Sequence, residues 1–303
     1  MDRARPLAVE VQDARRIVLA GLRRGLFLYS RNDMLGRFLD ALGEWAEAEL
    51  ELLLPLLRPG DRVVDAGANI GLHAIPFARA VGPTGRVHAF EPQRVIHGLL
   101  SANAVLNGAD ALRAHLAALG EAPGRIAVPE VDYGREALGA ALSLAGTPVL
   151  AEDAAPAETV PVATLDAMLA DEPSLRLIKA DVEGMERSVI AGARALIARH
   201  RPFLYLEVND HPGGDALIAL VREMGYRPFW HPSRGWRPDN FRSAPDPGFG
   251  GAGDLNALCV PAGEEAVAAG LTPIGALAEA RTLFPGLNVR TTRWERWKKR
   301  LVG

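Results

Sequence analysis

Apolar residues along the chain cluster into short unbroken runs, separated by stretches in which apolar and polar positions recur with helical spacing. From residue 62 the two kinds alternate. Arg62 to Asp65 reads as a buried strand, Leu72 to Val81 as a helix, Arg86 to Phe90 as a strand, Val95 to Asn107 as a helix and Ala111 to Leu119 as a third strand. Between 121 and 160 the rhythm breaks into strand-like pieces around Ile126 to Val128 and a loop rich in Ala, Pro and acidic residues. It resumes with the strand Leu175 to Ala180, a helix from Glu183 to His200, the strand Phe203 to Val208 and a helix from Asp215 to Gly225. Tyr226 to Trp230 and Leu255 to Val260 then close an antiparallel hairpin around the glycine-rich loop 246–253. Such alternation predicts an α/β protein built on a mostly parallel sheet. Ahead of it, Val9 to Leu22 carries arginines on one side and Trp45 to Leu57 sets leucines among glutamates, so residues 1–57 are predicted to form a helical lid or brace. The core is expected over 58–262, with the insert 121–160, and a helical basic tail over 263–303.

A chain of 303 residues has room for one large α/β domain with appendages. Its 49% hydrophobic and 23% charged residues are those of an ordinary globular protein, and a formal charge of -3 offers no global attraction to nucleic acid or anionic membrane. Cys259 is the only cysteine, which excludes an internal disulfide and a thiolate zinc cage and makes the cytoplasm the expected location. No signal-peptide run follows Met1, and no apolar stretch reaches the roughly 18 residues of a membrane span. The basic segment Arg290 to Arg300 surrounds Trp294 and Trp297 and reads as a solvated helix packing its tryptophans on the body. Neither a nucleic-acid partner nor stable membrane anchoring is expected from it. An apolar helix face leaves a homo-oligomer open.

Candidate chemistry begins at Asp65-Ala66-Gly67-Ala68-Asn69-Ile70-Gly71, where a strand passes through a glycine-bearing turn into a helix. Gly67 allows close backbone approach, Gly71 allows tight packing, and free amides at a helix start favour negative charge. A dinucleotide turn reads G-x-G-x-x-G. This one reads D-x-G-x-x-x-G, and its carboxylate suits a ligand bearing an amine, such as the methionine end of S-adenosylmethionine (SAM). Glu91 follows Asp65 by 26 positions at the tip of the second strand, where a carboxylate can accept from both ribose hydroxyls. Its alternative is a charge near a helix start. Asn69 either holds a ligand carboxylate or caps the helix after it, and His73 reads as a packed helix residue. Asp181 and Glu183 end the fourth strand before Gly184, where they either serve an acceptor or cap the following helix. Asp181, Glu207, Asp210 and His211 could converge on a divalent ion, though a required metal is not favoured. The segment Trp230 to Trp236 and the loop near Phe249 offer aromatic faces suited to a sugar ring or natural product, or are plain loop and core.

The order of Asp65 to Gly71, Phe90-Glu91-Pro92, Ala117-Ala118-Leu119-Gly120, Thr164-Leu165-Asp166, Lys179 to Glu186 and Leu206-Glu207 resembles the successive motifs of the FkbM family of SAM-dependent methyltransferases. The likeness runs from about Trp45 to Pro261. It implies a Rossmann-like class I methyltransferase fold with a seven-stranded, mostly parallel sheet whose last strand is antiparallel. It also implies methyl transfer to a hydroxyl of a sugar, glycan or other natural product. Carried over by position, the resemblance places Asp65, Gly67, Ala68, Asn69 and Gly71 around the methionine portion of SAM, Glu91 with Pro92 at the ribose and Leu119 at adenine. Asp181 is then the leading candidate for the group that takes or orients the acceptor proton, with Glu183, Glu207 and His231 behind it. Two rival readings are a nicotinamide-dependent oxidoreductase, which should show three glycines in the turn, and a non-catalytic scaffold, which should have lost Asp65, Gly67, Gly71 or Glu91.

Overall fold

The computed structural model describes residues 9–10, 14–128, 132–133, 144, 147, 149–150, 159–208, 213–248 and 251–289. Strands β1 (Val9–Glu10), β2 (Ile17–Leu22) and β3 (Gly25–Ser30) form a small antiparallel sheet, followed by helices α1 (Met34–Leu42) and α2 (Glu47–Leu53). The helix predicted over Val9 to Leu22 is therefore corrected to a hairpin. Ile17 to Leu22 alternates half-buried and buried positions with period two, and Arg23-Arg24-Gly25 turns the chain, so the flanking arginines bracket a strand rather than line a helix. The helical part of the prediction survives in α1, which Asp33 caps by accepting from Leu35 N at 2.8 Å, and in α2.

The core continues through β4 (Arg62–Ala66), α3 (Ala74–Val81), β5 (Arg86–Phe90), α4 (Arg94–Leu106) and β6 (Leu112–His115). A second sheet follows, made by β7 (Ala118–Leu119), β8 (Gly124–Ala127), β9 (Val149–Leu150) and β10 (Thr159–Ala163). The chain then returns through α5 (Leu165–Met168), β11 (Leu177–Ala180), α6 (Glu186–Ala191), α7 (Arg194–His200), β12 (Phe203–Glu207) and α8 (Gly214–Glu223). It closes with β13 (Tyr226–Arg234), β14 (Ala252–Pro261), β15 (Thr272–Pro273), α9 (Ala280–Leu283) and β16 (Asn288–Val289).

The main sheet runs β15-β13-β14-β12-β11-β4-β5-β6, with β16 beside β14. Pairings from β12 through β6 are parallel, whereas β14 runs antiparallel to both β12 and β13. Seven of these strands reproduce the Rossmann-like sheet that the resemblance implies, and the short β15 and β16 raise the count to nine. Strand order reverses between β4 and β11, so the carboxyl ends of those two strands flank the crevice where open α/β sheets bind ligands. Alternate residues pack opposite faces: Val63 and Val87 join one apolar cluster, Val64 and Ile178 the other.

Two predicted elements are divided in the structure. The strand predicted over Ala111 to Leu119 splits at Ala117, whose amide donates to His115 O at 3.0 Å, and its second half joins the insert sheet beside β10. The helix predicted from Glu183 to His200 breaks at Gly192, where an added Cβ would fall onto the Gly120 carbonyl. Asp166 stabilises the restart, accepting from Ala195 N at 3.0 Å and Leu196 N at 2.8 Å. The single helix predicted after Pro261 is replaced by a 3-10 turn at Glu265–Ala268 and the short β15, α9 and β16, and the basic segment 290–303 lies outside the described residues. Among the described residues, no helix is long and apolar enough to cross a membrane.

Asp166→Ala removes both acceptors from the first turn of α7 and is expected to cost about 1–2 kcal/mol of stability. Chemical denaturation checks this, and an unchanged midpoint would contradict the capping role.

Candidate active site

At the end of β4 the chain turns through three left-handed residues, Gly67 (φ 76°), Asn69 (φ 49°) and Gly71 (φ 94°). A Cβ on Gly67 would fall onto the carbonyl of Asp181, so this position requires glycine because the ends of β4 and β11 touch there. Gly67 N and Ala68 N both donate to Phe90 O at 3.0 Å, Asn69 N donates to Glu91 Oε2 at 3.1 Å, and Gly71 N donates to Ala68 O at 2.9 Å. The free amides expected in this turn are therefore already engaged within the protein. Asn69 Oδ1 accepts from Ile70 N at 2.8 Å, bracing the turn itself, since α3 starts only at Ala74.

Glu91 is 4% exposed, and its two oxygens accept from Asn69 N and from Gln93 N at 2.8 Å. Each oxygen keeps acceptor capacity beyond those single bonds. Burial, helped by the charge of Asp65, pushes its carboxyl up to about 7 against the pull of the two backbone amides. Gln93 is held in turn by Tyr133, whose hydroxyl donates to Gln93 Oε1 at 2.6 Å. Glu91 lies in a cavity of about 570 Å³ with Phe90, Pro92, Ala117, Leu119 and Met185. A carboxylate beside an apolar slot has the chemistry to hold a nucleoside.

A second cavity, of about 870 Å³, opens on the other side of the turn. Met34, Leu35, Phe38, Trp45, Gly253 and Asp254 are among the residues that line it. Both cavities include Gly67, Asn69, Asp181 and Glu183, so these four residues mark where they meet. The Asp181 side chain is 37% exposed there. Glu183 (φ 57°) and Gly184 (φ 101°) reverse the chain after β11, and Glu186 anchors that reversal. Its Oε1 accepts from Val182 N at 2.8 Å and its Oε2 from Gly184 N at 3.1 Å.

Beneath the junction lies a cation that the sequence reading mentioned only as part of a motif. Lys179 stands opposite Asp65 in the parallel register of β11 and β4, and its Nζ is 3.5 Å from both Asp65 Oδ1 and Asp181 Oδ2. Lys179 is 2% and Asp65 0% exposed. Burial alone would lower the ammonium pKa, but Asp65, Asp181 and Glu49 together hold it raised. The available signal was a lysine inside the apolar run Leu177 to Ala180, because a lysine in a buried strand needs a charged partner.

The sequence-derived residues divide into three groups. Gly67, Asn69, Glu91, Pro92, Leu119, Asp181 and Glu183 line the first cavity, and Ala68 lines the second. Asp65 and Gly71 line neither: Asp65 sits behind the wall on Lys179, and Gly71 packs against Leu100. Glu207 and His231 also line neither cavity. Burial and the charges of Asp181, Asp254 and Glu186 hold the Glu207 carboxyl well above its usual range, and His231 Nδ1 is engaged with the Tyr205 hydroxyl at 2.7 Å. Trp230 is core, and Phe249 lies outside the described residues. His73, read as a packed helix residue, is buried at the start of α3 and also helps wall the second cavity, with Nε2 3.1 Å from Glu49 Oε2. Among the described residues no group of three or more His, Cys, Asp or Glu side chains is placed to hold a metal, and Asp210 and His211 lie outside them.

The family described as the Methyltransferase FkbM domain matches residues 65–228, the stretch that carries the turn, Glu91 and the Lys179 strand. The chain belongs to this FkbM family. Residues 65–228 thus form a methyltransferase domain of a SAM-dependent family. A segment of 49 residues is 55% identical to the 31-O-demethyl-FK506 methyltransferase FkbM of Streptomyces tacrolimicus, covering 16% of this chain and 18% of that relative. The match thus spans less than a fifth of the relative's length. The methyltransferase FkbM structure from Methylobacillus flagellatus KT is 23% identical, with a TM-score of 0.40 over 65% of this chain and 43% of that one. A SAM-dependent O-methyltransferase from Thermotoga maritima is 13% identical, with a TM-score of 0.43 over 71% of this chain and 64% of that one.

In this FkbM protein, folding raises the Glu91 carboxyl from 4.5 to about 7. The folded state therefore keeps a proton that the unfolded state releases, and stability contributed below pH 4.5 is lost as the pH rises toward about 7. Glu91→Gln is expected to shrink the fall in melting temperature over that window in the absence of ligand. Thermal melts across pH test this, and an identical pH slope in the variant would contradict it.

Proposed function

We propose that the chain is an O-methyltransferase acting on a hydroxyl of a small-molecule or glycan acceptor, such as a sugar or another natural product. The observation that carries this reading is the junction at Gly67, Asn69, Asp181 and Glu183, where a nucleoside-sized cavity meets a second, aromatic-walled one. In the first, Glu91 and Pro92 receive the ribose and Leu119 flanks adenine. Gly67, Ala68 and Asn69 border the methionine end, with Gly71 setting the turn and Asp65 acting from behind through Lys179. When bound, SAM supplies a methyl group on an electrophilic sulfonium.

The acceptor occupies the second cavity. Trp45 and Phe38 offer ring faces, and Asp181, Glu183 and Asp254 offer acceptors for hydroxyl protons. That pairing suits a neutral, hydroxyl-bearing ring and disfavours an anionic one. Asp181, the exposed carboxylate at the junction, orients the acceptor oxygen and takes its proton during transfer, with Glu183 beside it. Glu207 and His231 support the wall from behind. Alignment of oxygen, methyl and sulfur accounts for much of the acceleration, and the N-terminal segment, through Met34 to Trp45, covers the acceptor and excludes water. The Streptomyces relative, named for a 31-O-demethyl acceptor, supports oxygen as the receiving atom. The single buried thiol, Cys259, fits a cytoplasmic location.

Incubation with methyl-labelled SAM and a small-molecule extract, followed by mass and NMR analysis of the labelled product, tests the reaction. An O-methyl product is expected, and label on nitrogen or carbon would contradict the assignment. Asp181→Asn is expected to bind SAM normally by calorimetry while losing about 10²–10⁴-fold in turnover. Undiminished turnover would remove Asp181 from the chemistry.

A further inference from the structure

Asn103 is 0% exposed on the inner face of α4, and its side chain joins two parts of the protein that are distant in sequence. Its Nδ2 donates to Leu28 O at 3.0 Å and to Ile70 O at 2.9 Å, while its Oδ1 accepts from Leu28 N at 2.6 Å. One amide thus satisfies both backbone groups of Leu28, as a neighbouring strand would, and also grips the carbonyl between Asn69 and Gly71. Both hydrogens of the amide are used. Asn107, one turn further on, grips the strand without reaching the turn: its Oδ1 accepts from Leu26 N at 3.1 Å and from Arg79 Nη2 at 2.7 Å, and its Nδ2 donates to Leu26 O at 2.5 Å and to Asn103 O at 2.8 Å. Because β3 is an edge of its sheet, these two amides stand where another strand would pair. Leu100, on the same helix, packs against Gly71.

We infer that Asn103 is a positioning residue for SAM, locking the Asn69 to Gly71 turn and coupling it to docking of the N-terminal hairpin. This rests on the reading of that turn as part of the SAM site. Fixing the Ile70 carbonyl holds the left-handed residues on either side of it, and Asn69 N in turn fixes one oxygen of Glu91. The hairpin leads directly into α1, whose Met34, Leu35 and Phe38 wall the second cavity, so the same amide links cofactor geometry to the acceptor wall. Coupling of this kind is reciprocal. SAM therefore favours the docked hairpin as much as the docked hairpin favours SAM.

Calorimetric titration of SAM into wild type, Asn103→Ala and Asn107→Ala separates positioning from general support, because Asn107 holds the strand without touching the turn. Asn103→Ala is expected to bind SAM about tenfold more weakly and Asn107→Ala within about twofold of wild type. In the wild type, SAM should slow hydrogen exchange of the Leu28 amide. Equal effects of the two substitutions, or no effect of either, would overturn the inference. If Asn103→Ala fails to fold, the exchange experiment decides alone, and a Leu28 amide indifferent to SAM overturns it. Absence of SAM binding by the wild type would overturn the cofactor reading as well, whereas the other negative outcomes overturn this inference only.

Discussion

The site depends on one buried ammonium shared between two carboxylates. Lys179 and Asp65 face each other across adjacent parallel strands, and Asp181, two residues beyond Lys179, brings the second acid to the same ammonium. Neither Lys179 nor Asp65 is tolerable alone at that depth: desolvating an ion costs several kcal/mol, and removing one partner from a buried pair commonly costs about 3–5 kcal/mol. The ion triad therefore ties together the ends of β4 and β11, the two strands that bound the crevice. Gly67 completes the contact by letting the turn lie against the Asp181 carbonyl. The two cavities share a border because these strand ends are held together.

Around that pin, each neighbouring element contributes a polar side chain to the same small region. Glu91 braces the turn from β5 through Asn69 N, and Asn103 braces it from α4 through Ile70 O. Glu49 reaches in from the N-terminal brace to His73, while Asn256 Nδ2 on β14 donates to the same glutamate at 3.1 Å. Arg23 and Arg24, at the tip of the hairpin, pair with Glu44 and Glu47 and anchor the hairpin to the start of α2. The segment ahead of the Rossmann core is thus joined to the site by buried polar contacts as well as by apolar packing, and it has no reason to act as a loosely attached lid.

Most of the core was legible in the sequence because parallel strands buried on both faces leave short apolar runs, and glycine turns separate them from their helices. Val63-Val64, Leu177-Ile178 and Leu204-Tyr205-Leu206 are such runs, and each became a strand. The N-terminal hairpin was misread because arginines at both ends of a six-residue strand imitate the polar side of a helix. The break at Gly192 depends on close approach to Gly120, a tertiary contact without a local signature. For the site, motif order led to Glu91 and Asp181. Lys179 contacts Asp181 directly, while Glu49 acts on Lys179 and Asn103 on the turn at Ile70, and partners of that kind are selected by three-dimensional packing rather than by spacing. Glu207 and His231 carried the right chemistry for catalysis but sit behind the wall, a distinction that depends on which way a strand residue faces.

The ion triad makes the claim that can be checked most directly. Calorimetric titration of SAM into Lys179→Met, compared with wild type at a temperature where both are folded, measures whether the pin organises the cofactor side of the junction. Binding about tenfold weaker or worse is expected in the variant, because Asp65 and Asp181 are then left as uncompensated acids against each other. Wild-type affinity in a folded Lys179→Met protein would contradict it.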